Sequence, residues 1–297
     1  MPEVGTKATD GYTGTSVMLC SDMVTINDEV SCKGLKSGAD YKIIGTLMDK
    51  ATGTALLDAE GKPVTSEKTF TAQSAESVIT VKFENVYIPY EVRDIVVFEK
   101  LYTDDDVLLA VHEDLEDLDQ TVTRAVLETN ASEETTGKAV MMNSTVTIVD
   151  KVDYSGLVPG ANYVIEATLY KSTGESITAN GQQVVSMVAF TPEEADGTLE
   201  VPITFDTSGL NEGEVVVVFE SVKDIATEEE IASGVQKDTV EVSRHADLGS
   251  TTQSLTVKAL PATGEGFTRL AAIGAASALA GGVIALMVMI KNRKEEE

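Results

Sequence analysis

The chain contains one sequence pattern twice, and this feature most limits the folds it can adopt. VTINDEVSCKGL (residues 24–35) matches VTIVDKVDYSGL (residues 146–157) at a separation of 122 positions, and VVFEK (96–100) matches VVFES (217–221). Self-similarity over this length indicates two tandem copies of one folding unit. We therefore divide the 297 residues into module 1 (residues 1–125), module 2 (residues 126–258) and a C-terminal segment (residues 259–297).

Both modules have the hydrophobic period of β-strands. Apolar and polar residues alternate in short runs such as Tyr163 to Leu169, and turn signals such as Thr173-Gly174 separate the runs. Seven or eight short strands in about 120 residues are typical of a sandwich of two sheets. The sequence therefore predicts an all-β fold, with two tandem immunoglobulin-like β-sandwiches. Residues 226–234 are an exception, because Thr227, Glu230 and Gly234 form a cap-and-stop pattern that predicts a short surface helix.

Composition excludes several classes of function. Asp and Glu number 49 against 22 Lys and Arg, a formal charge of −27, so we expect no nucleic-acid partner. Two cysteines and two histidines, without zinc-like spacing, predict neither a disulfide framework nor a metal site, and no cofactor is expected. The acidic run 104–106 lacks an EF-hand pattern, so a solvated loop is favoured over a calcium site.

The C-terminal segment has the features of a membrane-directed signal. Residues 270–290 form a run of 21 uncharged residues, long enough as a helix to span a bilayer, and a basic cluster follows it. We predict a transmembrane helix over these residues. The upstream LPATG motif comprises Leu260, Pro261, Ala262, Thr263 and Gly264. This order of motif, apolar span and basic tail resembles the sorting signal of sortase-anchored Gram-positive surface proteins.

That resemblance implies a cell-wall location. Sortase would cleave between Thr263 and Gly264 and transfer the Thr263 carboxyl group to peptidoglycan, so that the membrane span is transient. Residues 1–4 (MPEV) show no signal peptide, although export normally requires one. We therefore expect the chain to be the wall-proximal end of a longer protein or a gene fragment, with a host ligand possible for the missing N-terminal region.

Each module is predicted to place polar side chains on interior faces of its strands. Strand alternation aligns Thr6 with Val4 and Ala8, and aligns Asp28 with Ile26 and Val30. Burying such groups without partners costs roughly 1–3 kcal/mol each, so we expect them to contact one another. Such a cluster can be purely structural. The only two histidines, however, each precede a glutamine by eight residues, in positions that correspond between the copies.

These residues resemble a known family. T-x-A near the start, V-V-F-E in a middle strand and H-x-D followed by Q are similar to the VaFE-type Thr–Gln ester-bond domains of Gram-positive surface proteins. In that family a threonine hydroxyl attacks a glutamine carboxamide, ammonia leaves and an intramolecular ester remains. The resemblance implies bonds Thr6–Gln120 and Thr129–Gln253. The assisting residues it implies are Asp28, Glu99 and His112 in module 1, and Asp150, Glu220 and His245 in module 2.

The residue types suit this chemistry. A histidine can take the threonine proton, and a carboxyl in an apolar site can stay protonated and polarise the amide. Which carboxyl is the acid stays open. Thr9 is the alternative nucleophile in module 1, but it shares its face with Lys7. Module 2 departs from module 1 in carrying Ser250 where module 1 has Asp117, and in its longer Glu-to-His spacing, so its bond is the less secure prediction.

The sequence therefore predicts a structural stalk segment whose modules lock themselves by single-turnover cross-linking. The alternatives are an adhesin module that binds a host ligand, or a pilin subunit without cross-links. A turnover enzyme is disfavoured because no nucleophile elbow, metal triad or phosphate loop is present. A Lys–Asn isopeptide bond is disfavoured because Lys7 corresponds to Asn130 and both modules end on a glutamine.

Overall fold

The computed structural model describes residues 1–225 and 239–259, and within these ranges the regular structure is all β. The predicted surface helix at 226–234, the LPATG motif and the predicted span at 270–290 lie outside the described residues. In the part of the chain that is described, no helix is long and apolar enough to cross a membrane.

Module 1 is a sandwich of two sheets. Its strands are β1 (Glu3–Asp10), β2 (Met23–Lys33), β3 (Asp40–Asp49), β4 (Thr54–Ala55), β5 (Thr65–Thr71), β6 (Glu76–Tyr87), β7 (Asp94–Thr103), β8 (Leu108–His112) and β9 (Thr121–Thr123). One sheet has the order β1-β2-β6. The other has the order β4-β3-β7-β8, with β5 also paired to β3 and β9 to β7.

Module 2 repeats this plan. Its strands are β10 (Val126–Glu133), β11 (Ala139–Met141), β12 (Thr145–Ser155), β13 (Tyr163–Lys171), β14 (Thr178–Ala179), β15 (Gln182–Gln183), β16 (Val185–Phe190), β17 (Gly197–Asp206), β18 (Val215–Asp224), β19 (Val240–His245) and β20 (Ser254–Lys258). The sheet β10-β12-β17 corresponds to β1-β2-β6. The larger sheet runs β11-β20-β18-β13-β16, with β19 paired to β18, and β14 and β15 form a separate ribbon.

The cores lie between the sheets, as the alternating patterns predict. In β2 the inward residues Val24, Ile26, Asp28 and Val30 are all buried, while their neighbours are more exposed. Ile26 from one sheet and Ile43 from the other belong to a single apolar cluster. The prediction of two immunoglobulin-like sandwiches is confirmed by this arrangement.

The ends of the modules differ from the sequence prediction. Alternation continues through Gln120 and Gln253 and would put each on a last strand whose partner could be the first strand. In the structure β9 begins at Thr121 and pairs with β7, and β20 begins at Ser254 and pairs with β18 and β11. The reason is that each first strand belongs to the smaller sheet and each last strand to the larger one. Each glutamine therefore immediately precedes its strand, at a crossing between sheets.

The two modules share a close junction. Val17 of module 1 is 1% exposed and packs with Ala125 in the apolar cluster formed otherwise by module 2 residues. The backbone nitrogen of Cys20 donates to the Glu241 carbonyl oxygen at 2.8 Å. Arg124, 4% exposed, donates to the carbonyl oxygens of Ser21 at 3.3 Å and Ile88 at 3.1 Å. Apolar packing and backbone hydrogen bonding therefore both cross between the modules.

Candidate functional site

Pairing of the first two strands positions the threonine and the aspartate. In β1 and β2, Ala8 lies opposite Asp28, and in β10 and β12 Ala131 lies opposite Asp150. The threonine two residues before each alanine shares its face. The Thr6 hydroxyl donates a hydrogen bond to Asp28 Oδ1, and the Asp28 side chain has no solvent exposure.

Pairing in the opposite sheet positions the glutamate and the histidine. Glu99 in β7 lies opposite His112 in β8, and Glu220 in β18 lies opposite His245 in β19. Glu99 is 0% exposed and Glu220 is 1% exposed. Both histidine rings remain about a quarter exposed, at 24% and 26% of the side chain. Each histidine thus connects a buried carboxyl to the rim of the sandwich.

Gln120 completes the cluster of module 1. Its side chain is fully buried, and its Nε2 donates to Glu99 Oε2 at 2.8 Å and to the Val97 carbonyl oxygen at 2.6 Å. Asp28 and Glu99 are close enough for the charge of Asp28 to raise the pKa of Glu99. The Thr6 hydroxyl, the two neighbouring carboxyls and the Gln120 amide therefore lie in one cluster.

Module 2 contains the same residue types with different partners. Thr129 Oγ1 lies 2.9 Å from His245 Nδ1, which lies 3.3 Å from Glu220 Oε2. Gln253 is fully buried, and its Nε2 donates to Asp150 Oδ1 at 3.1 Å. The threonine therefore contacts the aspartate in one module and the histidine in the other. The two arrangements show that both groups lie within reach of the hydroxyl on this scaffold.

Burial keeps the paired carboxyls protonated. Desolvation raises the pKa of Asp28, and desolvation together with the neighbouring Asp28 charge raises that of Glu99 to about 11. In module 2, desolvation and the Glu220 charge raise the pKa of Asp150 to about 9, and desolvation raises that of Glu220 to about 8. Two adjacent buried carboxyls cannot both ionise cheaply, so each pair retains at least one proton near neutrality.

The glutamine carbonyl oxygens lack donors. Gln120 Oε1 and Gln253 Oε1 are buried, and neither has a hydrogen-bond partner among residues 1–225 and 239–259. The same holds for one oxygen of each carboxyl in the two pairs, namely Asp28 Oδ2, Glu99 Oε1, Asp150 Oδ2 and Glu220 Oε1. An unpaired buried acceptor costs about 1–3 kcal/mol. A proton moved onto a carboxyl oxygen beside the amide would relieve that cost and polarise the carbonyl.

The structure thus brings together all ten residues that the family resemblance implied, five in each module. Sequence reasoning did not include Asp117, whose Oδ2 lies 3.1 Å from His112 Nε2. Asp117 was given no role because the prediction relied on features common to both copies, and module 2 has Ser250 at this position. A carboxylate five residues after the histidine in module 1 was the available signal. Thr9, the alternative nucleophile, directs its hydroxyl to the Asn27 carbonyl oxygen at 3.5 Å.

No group of His, Cys, Asp and Glu able to hold a metal ion occurs within the described ranges. In the acidic run at 104–106, Asp106 forms an ion pair with Lys42.

The fold and these clusters define a class of tandem immunoglobulin-like modules in which a Thr and a buried Gln meet paired buried carboxyls. Residues 2–124 and 125–257 each match the family of the T-Q ester bond containing domain, and the chain belongs to that family. Residues 256–297 match the LPXTG cell wall anchor motif. The chain is a cell-wall-anchored surface protein, and a motif of this kind implies sortase processing and attachment to peptidoglycan.

Similar solved structures include a bacterial adhesin from Mobiluncus mulieris that contains intramolecular disulfide, isopeptide and ester cross-links. One crystal form matches with 14% identity and a TM-score of 0.35, covering 87% of this chain and 98% of the adhesin chain. A second crystal form matches with 16% identity and a TM-score of 0.32, covering 74% of this chain and 80% of the adhesin chain. Red sea bream transglutaminase matches with 11% identity and a TM-score of 0.26, covering 86% of this chain and 31% of the other. A comparison with curated proteins found no match.

Proposed function

We propose that each module closes an intramolecular ester, Thr6 to Gln120 and Thr129 to Gln253, and that the linked modules form a stalk segment on the cell wall. The observation that carries this proposal is the cluster in which the Thr6 hydroxyl contacts Asp28, the Gln120 amide contacts Glu99, and the two carboxyls interact as neighbours. We propose the boundaries 1–125 and 126–258 for the two modules.

The reaction balances without a co-reactant. A base, Asp28 or His112, takes the Thr6 hydroxyl proton, and Oγ1 attacks the Gln120 side-chain carbonyl carbon. The carboxyl of the pair that keeps its proton donates to Oε1 as negative charge develops there. The tetrahedral intermediate then expels the amide nitrogen, which takes up the proton and leaves as ammonia. One C–O bond forms, one C–N bond breaks, and the carboxyl pair and the base end as they began.

Preorganisation lowers the activation barrier of this step. Both reactants belong to one folded chain, so no bimolecular encounter is needed, an advantage worth up to about 7–11 kcal/mol. The carboxyl proton is available near neutrality because burial raises the pKa of both members of the pair. Module 2 offers the same groups, with His245 placed 2.9 Å from the Thr129 hydroxyl as the base.

The ester would tie together the two sheets of each sandwich. Thr6 belongs to the β1-β2-β6 sheet, whereas Gln120 leads into β9 of the other sheet. Tension entering along β1 would pass through Thr6 and Gln120 directly into β9 and then module 2. The residues between the two attachment points would carry no load, so the sandwich would not unravel under force.

The junction supports a stiff stalk. Only two residues separate β9 from β10, and Val17 of module 1 is buried against the core of module 2. The Ser243 hydroxyl adds a hydrogen bond to the Ala125 carbonyl oxygen at 2.9 Å. A flexible linker has neither feature. We propose that Thr263 is the point of covalent attachment to peptidoglycan, and that the modules display a host-binding region at their distal end.

Tandem mass spectrometry of a proteolytic digest tests this function. The proposal predicts a branched peptide in which the Thr6 segment is joined to the Gln120 segment, with loss of one ammonia mass, and a second branched peptide joining Thr129 to Gln253. Recovery of all four segments as separate linear peptides of unchanged mass would overturn it.

A further inference from the structure

Lys138 lies between β10 and β11 and bridges the two chain segments that the module 2 ester would join. Its Nζ donates to the carbonyl oxygens of Ala131 and Thr252, and to Asn130 Oδ1 at 2.9 Å. Ala131 follows the nucleophile Thr129 by two residues, and Thr252 immediately precedes Gln253. One ammonium group therefore holds the nucleophile strand against the start of the glutamine strand.

The backbone geometry around this contact connects it to the buried cluster. The Ala131 nitrogen donates to the Thr252 carbonyl oxygen at 3.0 Å, so that oxygen accepts both an amide and the ammonium. Ala131 lies opposite Asp150, which accepts the Gln253 amide at 3.1 Å. A shift of Thr252 would therefore displace Gln253 from Asp150.

Lys138 also acts on this cluster through its charge. Burial lowers the Lys138 pKa, and the Asp150 charge opposes that shift, so the two groups interact. By reciprocity, the ammonium favours the ionised form of Asp150. Removing the ammonium should therefore raise the Asp150 pKa further above its ordinary value.

Module 1 has a different arrangement. Alignment of Val17-Met18 with Val140-Met141 places Thr15 at the position of Lys138, and the Thr15 hydroxyl bonds only locally, to Thr13 and to the Val17 nitrogen. Module 1 instead holds its histidine with Asp117, which module 2 lacks. The lysine contacts thus occur in module 2, which has no counterpart of the Asp117 carboxylate beside its histidine.

We propose that Lys138 is a positioning residue for ester formation in module 2, holding Thr129 and Gln253 in register beside Asp150. This inference rests on the proposed function. It predicts that the two modules of one chain respond differently to the loss of this single charge.

The test compares the full chain with its Lys138→Met and Lys138→Arg variants, made by cell-free synthesis and quenched at successive times. Digestion and mass spectrometry then give the rate of ammonia loss in each module separately. Lys138→Met should slow module 2 by about fivefold, the factor that corresponds to roughly 1 kcal/mol. The Lys138→Met variant should leave the rate of ammonia loss in module 1 unchanged. It should also move the alkaline limb of the module 2 pH–rate profile to higher pH. Lys138→Arg should restore most of the rate.

Two results would overturn the inference. The first is a module 2 rate and pH profile in Lys138→Met equal to those of the unaltered chain. The second is a slowed rate with an unshifted pH profile that Lys138→Arg does not restore, which would mark a general loss of stability. Absence of ammonia loss from both modules of the unaltered chain would instead reject the proposed function itself, and this inference with it.

Discussion

Glu99 and Gln120 meet inside module 1, where the glutamine amide nitrogen donates to the glutamate carboxyl at 2.8 Å and neither side chain is exposed to solvent. A glutamine amide buried against an acid is an uncommon arrangement, because both groups lose their hydration. The Thr6 hydroxyl reaches the same acid pair through Asp28. The cluster therefore combines a nucleophile, an amide and a retained carboxyl proton between the two sheets of one module.

Replacing the nucleophile should remove one cross-link at a time. Thr6→Val keeps the side-chain shape but has no hydroxyl, so module 1 should retain its ammonia while module 2 loses one. Without the ester, the loop of roughly 115 residues is no longer closed, which should cost about 5 kcal/mol of the free energy of unfolding. The corresponding fall in melting temperature is about 15–20 °C, measurable by calorimetry.

Thr9→Val is the matched control for this variant. The Thr9 hydroxyl contacts the Asn27 carbonyl oxygen and not the carboxyl pair. The mass deficit of module 1 and its melting temperature should therefore stay close to those of the unaltered chain. Loss of the deficit in Thr9→Val together with its retention in Thr6→Val would show that Thr9 is the nucleophile.

Removing the acid should stop the chemistry while leaving the packing intact. In the Glu99→Gln variant, the new amide side chain has nearly the same shape as the glutamate that contacts Gln120, but it cannot donate a carboxyl proton. The rate of ammonia loss in module 1 should fall by about 100-fold or more, as is typical when a general acid is removed. Module 2 serves as the internal reference, and an unchanged module 1 rate would exclude Glu99 from the reaction.

The stability of an unlinked module 2 should fall as the pH rises. In a Thr129→Val variant, the folded chain holds protons on Asp150, with a pKa of about 9, and on Glu220, with a pKa of about 8. The unfolded chain releases these protons at much lower pH, so the folded state binds more protons near neutrality. The free energy of unfolding in urea should therefore decrease by at least about 1.4 kcal/mol between roughly pH 6 and pH 9. A flat or rising profile would contradict the presence of protonated carboxyls.

The contact between His112 and Asp117 should matter in module 1. Asp117 Oδ2 lies 3.1 Å from His112 Nε2, and a carboxylate at this distance orients the ring. Asp117→Asn should therefore slow ammonia loss in module 1 by about tenfold, followed by timed mass spectrometry. Asp114→Asn is the control, because Asp114 lies on the same loop and its carboxylate accepts a hydrogen bond from the Glu116 nitrogen at 2.9 Å. Equal rates in the two variants would assign no role to Asp117.

The junction should couple the stabilities of the two modules. Val17→Ala removes methyl groups that pack in the module 2 core and should lower the free energy of unfolding of module 2 by about 2 kcal/mol. Val78→Ala is the control, because Val78 is 60% exposed. Hydrogen exchange resolved by module would measure the effect. A loss confined to module 1 would mean that the junction does not transmit stability.

The sequence predicted the fold class from periodicity, and the composition of the clusters from periodicity together with the family resemblance. Strand alternation places Asp28 and Asp150 inside, and the structure shows each with no exposure. The ends of the modules were predicted less well. Alternation continues from Leu118 to Val122, yet Leu118 is 77% exposed and the strand begins at Thr121. A short apolar–polar run does not reveal which sheet it joins, since pairing depends on contacts distant in sequence.

The different hydrogen bonding in the two modules was also beyond sequence reasoning. Thr6 and Thr129 occupy equivalent positions, but one contacts Asp28 and the other contacts His245. The choice depends on side-chain rotation within a crowded interior, which residue spacing does not encode. Asp117 and Lys138 were given no role for another reason, because each occurs in only one copy and comparison of the copies favours what they share.

Accurate weighing of the purified ectodomain, residues 1–259, tests the central claim most directly. If both clusters have reacted, the protein is lighter than its sequence mass by two ammonia masses, and the combined variant Thr6→Val with Thr129→Val shows no deficit. A measured mass equal to the sequence mass, in protein shown to be folded, would contradict the account.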